Sequence, residues 1–186
     1  MVPTLVTELD GREIKRPPVE LLQAHESISF VGVNHWQLRH ALIRALAARG
    51  RRKWRRLELF YLCDEMIGAV RRGGATTADL LREKQASIAW MLESLPAMTE
   101  SWALHEYRVP FVFASFWDCE GASTDRARMH MSPYPWGADL ADARSCPAID
   151  FVASRAGEWP DMLKAHVEGL RNLRKDAIRL GGGGDP

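Results

Sequence analysis

The spacing of apolar residues changes along this chain. ISFVGV (28–33) is a short continuous apolar run rich in β-branched residues, the pattern of a strand buried on both faces, and LELFYLC (57–63) reads as a second strand. A helical period follows the first. Leu38, Ala41, Leu42, Ala45 and Leu46 recur at spacings of three and four, with Asn34 and Gln37 placed as a capping-box-like start and Gly50 as the stop. After the second strand, Asp64 is positioned to cap a short helix to Val70, broken by Gly73 and Gly74. Thr76 or Thr77 then opens a long helix to about Leu95, closed by Pro96.

Beyond residue 100 the pattern becomes one of strands. WALHEYRV (102–109), FVFASFWD (111–118) and RARMHMS (126–132) come in close succession, the last two joined by CEGASTD as a hairpin loop. AIDFVAS (148–154) is a further strand, and Trp159 to Leu180 carries an amphipathic stripe of Leu163, Val167, Leu170, Leu173, Ala177 and Leu180. The expected fold class is therefore α/β: a mixed β-sheet of about six strands covered by helices. Its first two strands are expected as sheet neighbours through a crossover helix. Residues 1–20 read as a polar, Pro-containing N-terminal arm, 21–180 as a single α/β domain, and 181–186 as a flexible Gly-rich tail.

Composition narrows the function classes. Hydrophobic residues make up 46 % and charged residues 26 %, a soluble balance, and no run reaches the length of a membrane span. Lys plus Arg is 25 against Asp plus Glu 24, so no global field draws the chain to nucleic acid or anionic lipid. The N-terminal residues lack the apolar region of a signal peptide. Cys63, Cys119 and Cys146 are odd in number and scattered, which argues against disulfides and a structural zinc site and for a reduced, cytoplasmic protein. His35 and His40 are five residues apart and do not share a helix face as metal ligands would. No metal or cofactor is expected.

Three segments carry candidate chemistry. The turn GVNHW (32–36) joins a buried strand to a helix N-terminus, where backbone N–H groups favour a phosphate or carboxylate and Asn34 and His35 add donors. Its bland reading is a cap beside a surface histidine. RGRRKWRR (49–56) holds six basic residues in eight, and Arg51, Arg52, Lys53, Trp54, Arg55 and Arg56 suit a nucleic acid or an acidic partner. The bland alternative, cations solvated at a helix C-terminus, fits the near-zero net charge better. RMHMSPYPWGADL (128–140) places His130 and Ser132 on one strand face that runs into a Pro- and Trp-containing loop, a common position for a ligand site.

FVFASFWD raises the question of why so apolar a strand ends on a carboxylate. In order of elements the chain resembles one half of the phospholipase D-like superfamily, whose signature strand reads H-x-K-x-x-x-x-D. The matching spacing here is Phe111-x-Phe113-x-x-x-x-Asp118, with the acid kept and both other functional residues replaced. His130 and Ser132 stand where that family places a small polar pair on the next strand. Within the family the motif histidine attacks phosphorus, a second histidine serves as acid or base, and lysines hold the phosphate. The resemblance thus implies a degenerate member, in which Asp118 is a structural hydrogen-bond partner. A homodimer is implied in the same way.

The expected function is a non-catalytic ligand-sensing or protein-interaction module, with a phosphorylated small molecule or a protein as partner. The first alternative is a metal-independent phosphodiesterase or phosphoryl or nucleotidyl transferase centred on His130, for which His105 and Arg128 are the candidate helpers. The second is nucleic-acid binding through residues 49–56.

Overall fold

The computed structural model describes residues 6–10, 19–68, 76–108, 112–119, 127–133, 147–152 and 161–184. Strand β1 spans Val6–Asp10, helix α1 Val19–Ala24, β2 Ser27–Gly32, α2 Leu38–Ala48, β3 Trp54–Leu62, α3 Asp64–Ile67, α4 Thr77–Met98, β4 Thr99–Tyr107, β5 Val112–Trp117, β6 Arg128–Pro133, β7 Pro147–Val152, α5 Asp161–Asp176 and β8 Ile178–Gly183. All eight strands form one mixed sheet in the order β1-β7-β6-β5-β2-β3-β4-β8. Strands β2, β3 and β4 are parallel, and every other pairing is antiparallel. The α/β sandwich expected from the sequence is what forms, with the first two predicted strands as parallel neighbours.

The central strands are largely apolar because both faces are covered. Ile28, Phe30, Leu57, Leu59, Tyr61, Leu104 and Trp117 pack on one face with Leu22 of α1, Leu38 and Leu42 of α2, and Met91 and Leu95 of α4. Val31, Phe60, Leu62, Tyr107, Phe116, Met129 and Phe151 pack on the other with Leu163, Val167 and Leu170 of α5. Each fully buried side chain of this size contributes about 1.5–3 kcal/mol of transfer free energy. One rung of backbone pairing, Glu8-Ile149-Met131-Ala114-Val31-Phe60-His105-Arg179, runs across the whole sheet.

Four local expectations are corrected. The sheet has eight strands and not about six, because two segments read as unstructured join its edges. Val6–Asp10 of the expected arm pairs with β7, and Gly181–Gly183 of the expected tail pair with β4. The last helix ends at Asp176, four residues before Leu180, because residues from Ile178 onward exchange helical for sheet hydrogen bonds. Pro96 does not close α4, which runs on to Met98. A proline this near the C-terminus removes a single helical bond, while Leu95 and Met98 on either side are buried. Asn34 and Gln37 make no capping box: His35 turns into the left-handed region at φ 50°, and Gln37 becomes the N-cap without a side-chain cap bond. The reciprocal capping box is that of Thr76 and Asp79, which opens α4.

Glycines let β8 lie this close. At Gly183 a Cβ would fall 2.9 Å from Trp102 Nε1, and at Gly184 (φ +77°) it would fall 2.2 Å from the Glu100 carbonyl oxygen. We predict that Gly184→Ala lowers unfolding stability by about 1–3 kcal/mol, since backbone must shift as well as adopt a disfavoured φ. Urea denaturation measures it; an unchanged midpoint would mean that this end of β8 peels away without cost.

Candidate functional site

Because β2, β3 and β4 are parallel, their carboxyl ends share one edge of the sheet, and β6 points the same way. Asn34 and His35 lie just past β2 on that edge, and Ser132, paired with Phe113 of β5, lies near the same edge two strands away. Asp118 lies at the opposite edge, where its N–H donates to the Ser27 carbonyl at 2.7 Å. Seven residues of extended chain separate the two ends, about 20 Å. His130 sits between them, flanked by Ser115 and Asp150 on one rung and enclosed at 1 % exposure with its ring 5.8 Å from Trp117. The structure therefore brings Asn34, His35 and Ser132 toward one edge and leaves Asp118 and His130 away from it. Phe111 lies outside the described residues.

Asp118 answers the question posed by its strand. With φ 47° the chain turns back, and Oδ1 accepts from the N–H groups of Glu26 (3.0 Å) and Ser27 (2.8 Å) while Oδ2 meets His25 Nδ1 at 3.0 Å. Burial opposes its ionisation, but the His25 ring and the two backbone donors outweigh that and hold the carboxyl below its ordinary value. It ties the start of β2 to the end of β5.

The donors of the β2 turn are engaged within the protein. Asn34 Nδ2 donates to Glu83 Oε2 at 2.7 Å, and Asn34 Oδ1 accepts from the Trp36 N–H at 3.3 Å. His35 Nε2 donates to the Phe60 carbonyl at 2.9 Å, since that oxygen can only accept, and the ring meets Tyr61 edge-on at 4.9 Å. Burial lowers the His35 pKa to about 4, partly offset by the Phe60 bond, so the imidazole is neutral near pH 7. Beside it, Arg39 stacks over Trp36 at 3.5 Å.

Two buried ionic groups were not singled out from the sequence. Lys84 of α4 meets Asp64, just beyond β3, and Glu106, near the carboxyl end of β4, each at 2.6 Å. Glu58, at the middle of β3, has no exposed surface. Arg174 of α5 grips both its oxygens (Nε to Oε1 2.7 Å, Nη2 to Oε2 2.6 Å), with Ser29 Oγ at 3.0 Å, His105 Nε2 at 3.0 Å and Arg56 at 3.4 Å. Burial opposes ionisation of Glu58, yet the bonds from His105 and Arg174 and the charges of Arg174 and Arg56 hold it far below the usual carboxylate range. The signal available in the sequence was an acid interrupting the apolar run LELFYLC at a position facing the core.

These contacts revise two candidate groupings. His105 faces α5 on the Phe60 side of the sheet, stacked on that ring at 4.7 Å, whereas His130 faces the Trp117 side. The sheet separates them, so His105 does not assist His130. Trp54 is fully buried, its Nε1 donating to the Leu22 carbonyl at 2.8 Å, so its ring is closed to a stacked base. Among the described residues no group of three or more metal-ligating side chains occurs, and no helix is long and apolar enough to cross a membrane.

Fold and site together define an α/β sandwich in which Asn34, His35, Glu58, Lys84 and Asp118 are bonded within the protein. No protein-family model matches the chain, and no curated protein matches it.

Two titrations test these assignments. His35 should titrate with a midpoint near 4 by NMR. Its folded value lies below the unfolded one of about 6.5, so it costs stability as pH falls from there toward its folded value. A midpoint above 6 would show the ring to be solvated. Arg174→Met leaves the buried Glu58 without its main counter-charge and should cost about 3–5 kcal/mol at neutral pH. In the parent chain the Glu58 contribution is complete above the unfolded value of about 4.3 and is lost as pH falls toward its depressed folded value. Glu58→Gln should remove that acid-limb slope in urea unfolding; an identical slope would place it elsewhere.

Proposed function

We propose that the chain is a non-catalytic module of the phospholipase D-like kind that works by binding, as a ligand-sensing or protein-interaction domain. The observation that carries this reading is the engagement of Asp118, the retained motif acid, with Glu26, Ser27 and His25 at one edge of the sheet. It serves there as a structural tie between strands. Asn34 and His35 hold the β2 turn in the same way, and His130 is enclosed against Trp117. A phosphorylated ligand is supported by the N-terminus of α2, which has no acidic residue in its first turn, and by the guanidinium of Arg39 beside it. Cytoplasmic residence and a homodimer belong to the same proposal. The first rests on the buried thiols Cys63 and Cys119, the second on the family resemblance.

A thermal-shift panel of nucleotides, cyclic nucleotides and phosphosugars tests the ligand. At a hundredfold excess over its dissociation constant a native-state ligand adds about 2.7 kcal/mol, or about 5 °C or more for a chain of this size. Arg39→Glu should abolish the shift; a response untouched by it would move the site away from α2. Cleavage of bis(4-nitrophenyl) phosphate should stay at the buffer rate with and without divalent metal. Turnover that disappears in His130→Gln would sink the non-catalytic reading.

A further inference from the structure

Residues 27–57 contain eight Lys and Arg side chains and no Asp or Glu, in a chain whose net charge is only +1. The fold places these cations unequally. Arg49 is drawn inward: its side chain is 4 % exposed, stacks over Trp54 at 5.3 Å and donates to the carbonyls of Leu22, Gln23 and His25 and to Glu26. Arg56 turns toward Glu58. With Trp54 buried beneath them, Arg49 and Trp54 brace the turn between α2 and β3 against α1.

The remaining cations are held outward by that brace. Arg44, Arg51 and Arg55 are exposed, and their side chains make no hydrogen bond or ion pair with any described residue. Arg52, its side chain 75 % exposed, shares Glu26 with Arg49, and exposed Lys53 reaches the Pro96 carbonyl. Gly50 and Arg51, both left-handed at φ 62° and 65°, swing the chain from the helix into β3. The exposed cations thereby follow in sequence from α2, whose 11 residues span about 16 Å, through the turn into the first residues of the strand.

We propose that this ridge, formed by Arg44, Arg51 and Arg55 with Arg52 and Lys53, binds the phosphate backbone of nucleic acid without reading sequence. Three features favour a polyanion of this type over an acidic protein. Exposed cations recur from α2 through the turn into the start of β3. Four of the five exposed between 44 and 55 lie on one turn and strand start, separated from Arg44 by the small residues Ala47, Ala48 and Gly50, which let a phosphate chain approach. Ile43 is the one large exposed apolar side chain of this helix, too little for the apolar centre of a protein interface. Contacts are by guanidinium forks and charge alone, since Trp54 is closed to bases. The ridge is independent of the α2 N-terminal site proposed above.

The experiment is fluorescence anisotropy of the full chain with a labelled 30-nucleotide single strand and a 30-base-pair duplex, at 50 to 200 mM NaCl. Three phosphate contacts predict that duplex affinity falls about 40-fold over that range, from a slope of about 0.9 per contact. The triple variant Arg44→Glu, Arg51→Glu, Arg55→Glu should lose binding at 50 mM while keeping the parent melting temperature, because these side chains hold nothing in the fold. No binding by the parent at 50 mM overturns the proposal, as does undiminished binding by the triple variant. Labelled polyglutamate is the second probe: if it binds and neither oligonucleotide does, the partner is an acidic protein and the nucleic-acid assignment fails.

Discussion

A carboxylate sealed in the middle of the sheet sets the terms for the rest of this structure. Removing Glu58 from water costs several kcal/mol, so the fold holds only where its charge is met on both oxygens. The groups that meet it come from four elements: Arg56 of β3 itself, Ser29 of β2, His105 of β4 and Arg174 of α5. Apolar packing of α5 through Leu163, Val167 and Leu170 would tolerate sliding along the sheet, whereas a planar guanidinium gripping both oxygens admits one register. The turn from α5 into β8 follows from that register, because Arg174 stands only four residues before the strand begins.

The same economy recurs at the sheet edges. Asp118 closes the start of β2 against the end of β5, Arg49 gathers the last carbonyls of α1, and Lys84 joins α4 to the residues beyond β3 and within β4. Each is a polar group in a buried setting where a missing partner would be costly. Side chains that in isolation suggest chemistry are in this fold the ones that fasten adjacent elements. The places proposed for a ligand or partner among the described residues are peripheral: the start of α2 beside Arg39 and the arginines beyond its end.

Much of the fold was legible from local pattern. The six strands expected between residues 28 and 154 all form, and the long helix opens at Thr76, one of the two threonines expected to start it, since period and capping act within a few residues. The two edge strands were missed because neither a short polar segment nor a glycine run has a strand pattern of its own; each is a strand only because a neighbour offers an unpaired edge. Spacing alone could place Asp118 at a strand end and suggest that it accepts bonds there, but not supply His25, 93 residues away in sequence. Nor could it show that Trp54 points inward while Arg55 beside it points to water, because one residue's shift in strand register exchanges the two faces.

By itself, then, the sequence determined the types of the central elements, the mixed α/β class and the absence of a helical membrane span among the described residues, all properties of composition and short-range period. Tertiary structure alone decided which polar residues are partners. Ser29, Glu58, His105 and Arg174 spread over more than a hundred residues of chain, and Coulomb and hydrogen-bond forces depend on distance through space, which topology creates and sequence separation conceals.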